Sequence, residues 1–213
     1  MSQSLLLVGA GGLAREVLAA ARAVPGEFTV RGLLDDDPAR HGSDVDGVPV
    51  LGPSDLVHEH TDDQVLVCVA SPGRPEGRAN VVRRLDLPAE RYATLVHPAA
   101  SVAHGVELGA GTVLLAGAVI TAPQRVGAHV LAMPHVLFTH DDLVGDFATC
   151  AGRATLAGGV VVAESAYLGA GSLVRQGVRI GSRAVIGMGA VVLADVPDGE
   201  TWVGVPAKPL IPS

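Results

Sequence analysis

The sequence predicts a small α/β unit followed by an all-β parallel β-helix, and three observations carry that expectation. From Val102 onward every sixth residue is apolar, in the series Val102, Leu108, Leu114, Ile120, Val126, Ala132, Phe138, Val144, Cys150, Leu156, Val162, Leu168, Val174, Ile180, Ile186, Val192. In a chain that is 48% hydrophobic, sixteen such positions in one phase arise by chance at on the order of 10⁻⁵, and a hexapeptide period is the signature of a parallel β-helix. Residues 1 to about 95 lack this period and open with a strand, a glycine turn and a helix. Aromatic residues make up only 3% of the chain while glycine numbers 27, which suits a narrow prism with no room for rings.

The first element is Leu5-Leu6-Leu7-Val8, an unbroken apolar run of the kind a parallel sheet buries. Gly9-Ala10-Gly11-Gly12 then turns the chain into a helix over residues 13–23. A second strand over 29–34 ends in the acidic turn Asp35-Asp36-Asp37-Pro38. Val48-Pro49-Val50-Leu51 predicts a short strand, Pro53-Ser54-Asp55-Leu56 the start of a capped helix, 65–70 a further strand and 80–85 a weak helix. The sum over residues 1–95 is a Rossmann-like half domain, in which ligands bind beyond the carboxyl ends of the parallel strands. His97-Pro98 forms the join, because the residue before a proline favours extended backbone. The β-helix fills 96–196, with five coils between Val102 and Val192. Residues 197–213 read as a capping tail: three prolines in the last eight residues forbid helix or ladder continuation, so the segment is expected to cover the open end.

Composition excludes several classes of function. The net charge of −7 and the absence of any basic run argue against nucleic acid as a partner. No apolar stretch is long enough to span a bilayer and the N-terminus lacks a basic n-region and cleavage site, so the expectation is a cytoplasmic protein with no membrane partner. Cys150 sits at an inward hexad position and Cys68 in a strand-like run, which predicts two inert buried thiols.

Gly9, Gly11 and Ala14 satisfy the dinucleotide fingerprint in its relaxed form, and Asp35 follows where a ribose-binding acid belongs. About 95 residues leave room for only one mononucleotide half, so the reading is a half-site holding one nucleotide diphosphate on the helix N-terminus, through the N–H groups of Gly11, Gly12 and Leu13. The alternative is that these glycines merely make a tight turn.

Histidine is the next source of chemistry. His41, His58 and His60 lie in polar or turn contexts and read as solvated. His104 and His140 share a hexad phase two coils apart, roughly 10 Å along the axis, too far to ligate one ion. His135 and His140 have the H-x4-H spacing of hexapeptide metal hydratases, but the further histidine that such a site needs falls on Ala99. No metal is therefore expected. His140 has the better case as a general base, because Asp141 follows it and a carboxylate on one ring nitrogen fixes the tautomer and raises the basicity of the other. Phe138, the one aromatic in the ladder, marks the same coil. The alternative is a polar corner exposed to solvent.

The turn Gly9 to Gly12, the acidic Leu34-Asp35-Asp36-Asp37-Pro38, the join His97-Pro98, the pair His140-Asp141 and the tail Gly204-Val205-Pro206-Ala207-Lys208 together resemble the sugar O-acyltransferase, sialic acid O-acetyltransferase family of left-handed β-helix proteins. Within it the likeness is to bacterial UDP-4-amino-sugar N-acetyltransferases. That resemblance implies a homotrimer with acetyl-CoA in the groove between neighbouring β-helices, active sites at subunit interfaces and a nucleotide sugar on the N-terminal domain. It implies catalytic His140 and Asp141, substrate contacts at Gly11, Gly12, Leu13, Asp35, Asp36 and Ser71, and cofactor contacts at Thr149, Gly158, Ala170, Gly187 and Lys208. Two positions depart from the pattern: Thr149 stands where the nearest relatives carry a histidine, and Ser71-Pro72-Gly73 replaces a glycine-polar pair.

The expected activity is acetyl transfer from acetyl-CoA to the amine of a nucleotide-linked sugar. The unbroken ladder supports this separately from the resemblance, because it ejects no loop to hold an acceptor and leaves that task to the front domain. A sugar O-acetyltransferase and a non-catalytic β-helix binding protein are the alternatives.

Overall fold

The computed structural model describes residues 2–24 and 26–210. The front of the chain is an α/β unit. Its strands are Gln3–Val8 (β1), Phe28–Leu34 (β2), Asp44–Val45 (β3), Val48–Gly52 (β4) and Gln64–Val67 (β5), in the order β3-β4-β2-β1-β5. β1 is parallel to both its neighbours and lies inside the sheet because Leu5, Leu6 and Leu7 have no polar face to expose; all three are fully buried. The first helix, Gly12–Arg22 (α1), turns Ala14, Val17, Leu18 and Ala21 inward at helical spacing. Gly77–Leu85 (α2) covers the opposite side of the sheet, where Leu85 packs with Leu6, Val8 and Val65. The helix expected after Pro53 is instead one 3₁₀ turn, Ser54–His58, without a side-chain cap. Ser54 donates from both its N–H and its hydroxyl to Asp36, so the residue expected to cap serves the acidic turn.

From Leu95 on, the chain is a left-handed parallel β-helix. Each hexad contributes a two-residue strand, and each strand pairs in parallel with the one 18 residues later, as in Val102↔Ile120↔Phe138↔Leu156↔Val174↔Val192. Three faces result. The first runs from Leu95–Val96 (β6) through Thr149–Cys150 to Val185–Ile186, the second from Ser101–Val102 to Val191–Val192 and the third from Glu107–Leu108 to Arg179–Ile180. β6 pairs with Val113–Leu114, so the ladder starts one hexad before Val102, at Val96; His97-Pro98 lies in a corner of the first coil.

The prolines do not stop the ladder. Thr201–Val203 adds a further parallel strand to the first face, pairing Trp202 with Ile186, and Lys208–Pro209 pairs with it antiparallel. The strand forms because it precedes the prolines, and Pro209 falls on the outermost strand, where a missing N–H costs nothing.

Inside the prism the apolar ladder has a companion. Two residues before each ladder position the chain places a second inward residue, and Val130, Val136, Ala148, Ala154, Val160 and Ala166 are among those that complete the core. The α/β unit sits on the first face: Leu95, Val113, Leu115 and Leu131 share one apolar core with Leu5, Leu7, Val17 and Leu18.

Candidate active site

His140 and Asp141 stand on the corner between the second and third faces. The imidazole Nδ1 lies 2.8 Å from Asp141 Oδ2, with both side chains mostly exposed. A carboxylate there accepts from Nδ1–H and leaves Nε2 as the basic nitrogen. Asp141 adopts φ +63, a left-handed conformation that aspartate tolerates in turns and that the corner requires.

Gly158 occupies the same corner one coil above. A Cβ added there would fall 2.4 Å from both Cε1 and Nε2 of His140, so the ring edge that carries Nε2 lies directly against this glycine. Gly158 is buried, and its N–H has no hydrogen-bond partner among the described residues, whereas the next one, from Gly159, bonds to the carbonyl of His140. A basic nitrogen beside an uncommitted N–H is an arrangement that can take a proton and stabilise an oxyanion in one step.

The second cluster lies in the α/β unit. A cleft of about 320 Å³ at the carboxyl ends of β1 and β5 is lined by Gly11, Gly12, Leu13, Asp35, Arg40 and Val69. The glycines here divide into two kinds. Gly9 has φ +104 and its missing Cβ would meet the Cys68 carbonyl at 2.9 Å, so the fold itself demands it. Gly11 and Gly12 have negative φ or helical backbone and open space on the Cβ side, so nothing in the fold requires glycine at either position. The tight-turn explanation therefore accounts for Gly9 alone. Asp35 is at the cleft, but both its oxygens accept backbone N–H groups, from Ala10 and Asp37, so it shapes the turn.

Several expected contacts lie elsewhere. Asp36 points away from the cleft: its carboxylate receives Ser54 and Arg84, and although burial opposes ionisation, these partners hold it below the usual carboxylate range. Ser71 lines an adjoining pocket with Arg74 and Asn80 that shares only Val69 with the cleft. Thr149 is buried, its hydroxyl bonded to Arg78. Gly187 gives its N–H to the carbonyl of Trp202 and abuts Val203, so the tail strand occupies its outer side. Ala170 is exposed on a different corner, between the first and second faces, and Lys208 is exposed on the last tail strand. Of the five expected cofactor residues, only Gly158 lies at His140.

Three residues with structural consequence went unassigned in the sequence. Arg78, on α2, is buried at the seam between the α/β unit and the β-helix, and burial lowers its pKa to about 10. His129 is buried beside it, stacked on Phe147 at 5.0 Å and edge-on to Tyr92 at 4.5 Å. Asp142 is fully buried behind His140. Among the described residues no cluster of three His, Cys, Asp or Glu side chains is placed to hold a metal, and no helix is long and apolar enough to cross a membrane.

Comparison with known proteins places this geometry. Residues 4–85 match the PglD N-terminal domain family. The acetyltransferase domain of PglB from Neisseria gonorrhoeae, solved with acetyl coenzyme A, superposes with a TM-score of 0.85 at 30% identity over 99% of this chain and 100% of that one. The chain belongs to the hexapeptide-repeat sugar acetyltransferase family. Another family member, PerB from Caulobacter crescentus, solved with CoA and GDP-perosamine, matches with a TM-score of 0.85 at 31% identity over 97% of each chain. Among curated relatives, GDP-perosamine N-acetyltransferase of Escherichia coli O157:H7 is 35% identical over 120 residues, 54% of each protein. The UDP-N-acetylglucosamine O-acyltransferase of Thiobacillus denitrificans is 36% identical over 85 residues, 40% of this chain and 33% of that protein. The matches thus span from a third to about half of these curated relatives' length.

Proposed function

We propose that this protein is an acetyl-CoA-dependent N-acetyltransferase acting on the amino group of a nucleotide-linked amino sugar. The observation that carries the reading is the His140 imidazole, held by Asp141 through Nδ1 and pressed through its Nε2 edge against Gly158. The neutral amine attacks the thioester carbonyl and a C–N bond forms. His140 Nε2 takes the proton from the attacking nitrogen, while the Gly158 N–H donates to the oxyanion. Collapse of the tetrahedral intermediate breaks the C–S bond and releases CoA thiolate, which recovers the proton from the imidazolium. PerB, solved with CoA and GDP-perosamine, supports both substrate classes for the reading, and forms of that family member with one histidine replaced by asparagine or alanine were solved with the same two ligands.

The nucleotide belongs in the α/β cleft. Open space at Gly11 and Gly12 lets a diphosphate approach the N-terminus of α1, where unpaired N–H groups and the helix dipole favour an anion. Arg40 on the rim, whose Nη1 donates to the Ala10 carbonyl, adds positive charge. Of the remaining assigned cofactor residues, Ala170 and Lys208 are exposed and belong with the cofactor groove of a neighbouring copy, whereas the tail strand covers the outer side of Gly187.

This reading makes the enzyme a homotrimer with shared sites. The α/β unit covers the first face, whereas His140 stands on the opposite corner of the triangular prism, between the second and third faces. One subunit's base therefore serves the cleft of the next. The exposed apolar residues Leu143 and Leu173 flank that corner, one on each face.

The test is acetylation of a panel of UDP-, dTDP-, GDP- and CMP-linked amino sugars, followed by mass spectrometry and thiol release. An acetylated amine supports the assignment; ester products only, or no thiol release with any acceptor, overturn it. Mixing inactive His140→Ala subunits with inactive Gly12→Glu subunits should restore partial activity if sites are shared.

A further inference from the structure

We propose that Asp142 is a positioning residue of this site: its buried carboxylate ties the His140 corner to the Gly158 corner and so sets where the imidazole lies. The proposal rests on the reading of His140 as the base.

Asp142 belongs to the second inward column. From Ala100 to Val196 that column steps by six through small and aliphatic residues with Thr112, Gln124 and Ser172 as neutral polar exceptions, and Asp142 is its one ionisable member. On the same corner in the coils above, the position is Val160, Val178 and Val196, all buried. An aliphatic side chain therefore fits this place in the prism. A carboxylate there forfeits hydration, and burial raises its pKa.

What the carboxylate does is specific. Oδ2 accepts the N–H of Thr139 at 2.8 Å and Oδ1 accepts the N–H of Val160 at 2.9 Å. Thr139 immediately precedes His140, and Val160 closes the corner that contains Gly158. The backbone of Asp142 is fixed from below in turn, its N–H donating to Gln124 Oε1 at 3.0 Å. One side chain thus spans both corners whose separation decides how Nε2 meets Gly158. Neutral members of the column make single ties of this kind on other coils, Thr112 Oγ1 accepting the Val130 N–H and Gln124 Oε1 that of Asp142; among the described residues of the column Asp142 alone accepts two backbone N–H groups, and it does so on the coil that carries the candidate base. A stability role does not call for a carboxylate, since this corner takes valine at Val106, Val160, Val178 and Val196 and a neutral glutamine at Gln124.

The test compares Asp142→Val, Asp142→Asn and His140→Ala in the full chain, with acetyl-CoA and GDP-perosamine as probes. Asp142→Val should melt no lower than the parent and bind both probes with unchanged Kd, while kcat falls about tenfold to a hundredfold, the cost of a displaced catalytic group. Asp142→Asn keeps one acceptor oxygen and should fall between, and it carries the test alone if the valine variant does not fold. Amide exchange should accelerate at Thr139 and Val160 and not in the other coils; this readout needs no turnover. Parental kcat in a folded variant, or unchanged exchange at both amides, overturns the proposal. If His140→Ala retains the parental rate, the reading of the base has failed; if it is inactive while Asp142→Val is fully active, only the role of Asp142 has.

Discussion

Arg78 donates from Nη2 to the Thr149 hydroxyl at 2.8 Å, and this bond joins the α/β unit to the β-helix. The same guanidinium reaches the carbonyls of His129, Phe147 and Ala148 on the β-helix and that of Val69 at the nucleotide cleft. One buried cation therefore links the cleft wall to the prism. Thr149→Val removes a single charge-assisted bond and should cost about 1.5–3 kcal/mol. Arg78→Met strands three carbonyls, those of Val69, His129 and Phe147, while that of Ala148 keeps the Leu131 N–H, and it should cost about 3 kcal/mol or more. Urea unfolding checks both, and Arg78→Met should also weaken nucleotide-sugar binding.

Gly158→Ala tests the contact between the two corners. The new methyl must displace the His140 ring, because nothing else within reach can yield as cheaply. The expected result is a kcat reduced by about 10²-fold with a melting temperature close to the parent's. Kinetics alongside calorimetry separates this from a folding defect.

Acid should loosen the seam. Burial, then the positive charge of Arg78, lowers the pKa of His129 to about 4, against which Asp146 acts weakly. The unfolded chain binds this proton near the ordinary histidine pKa of about 6.5, so the unfolded state is the more protonated one between the two values. Stability contributed by neutral His129 is complete above pH ~6.5 and declines as pH falls toward 4, by about 3 kcal/mol in total. His129→Gln should flatten the pH dependence of urea unfolding in that window.

Cys68 and Cys150 are both buried, and burial pushes each thiol up to about 12. Neither should react with a thiol reagent at neutral pH until the chain unfolds, when both should titrate. Rapid modification of either in the folded protein would contradict the placement.

The architecture was legible because a hexapeptide period leaves little freedom: once Val102 is inward, Leu108 and Leu114 follow, and a one-residue slip would expose the whole series. His140-Asp141 was legible for a similar reason, being adjacent in sequence on one corner. The seam was not. Arg78 sits in Gly-Arg-Ala-Asn-Val-Val-Arg-Arg-Leu, where an arginine reads as surface charge, and only the docking of two units buries it. Thr149 was misplaced for the same reason, since its outward position in the ladder becomes interior when α2 covers it. The tail misled because its prolines were counted without their positions: Thr201–Val203 finishes its strand before any of the last three.

The base is the centre of this account, and one measurement reaches it most directly: kcat of His140→Ala with acetyl-CoA and an accepted nucleotide amino sugar, alongside the Kd for CoA. Loss of a positioned general base predicts a kcat lower by about 10²–10⁴ with CoA affinity unchanged. A variant that turns over at the parental rate would contradict the assignment.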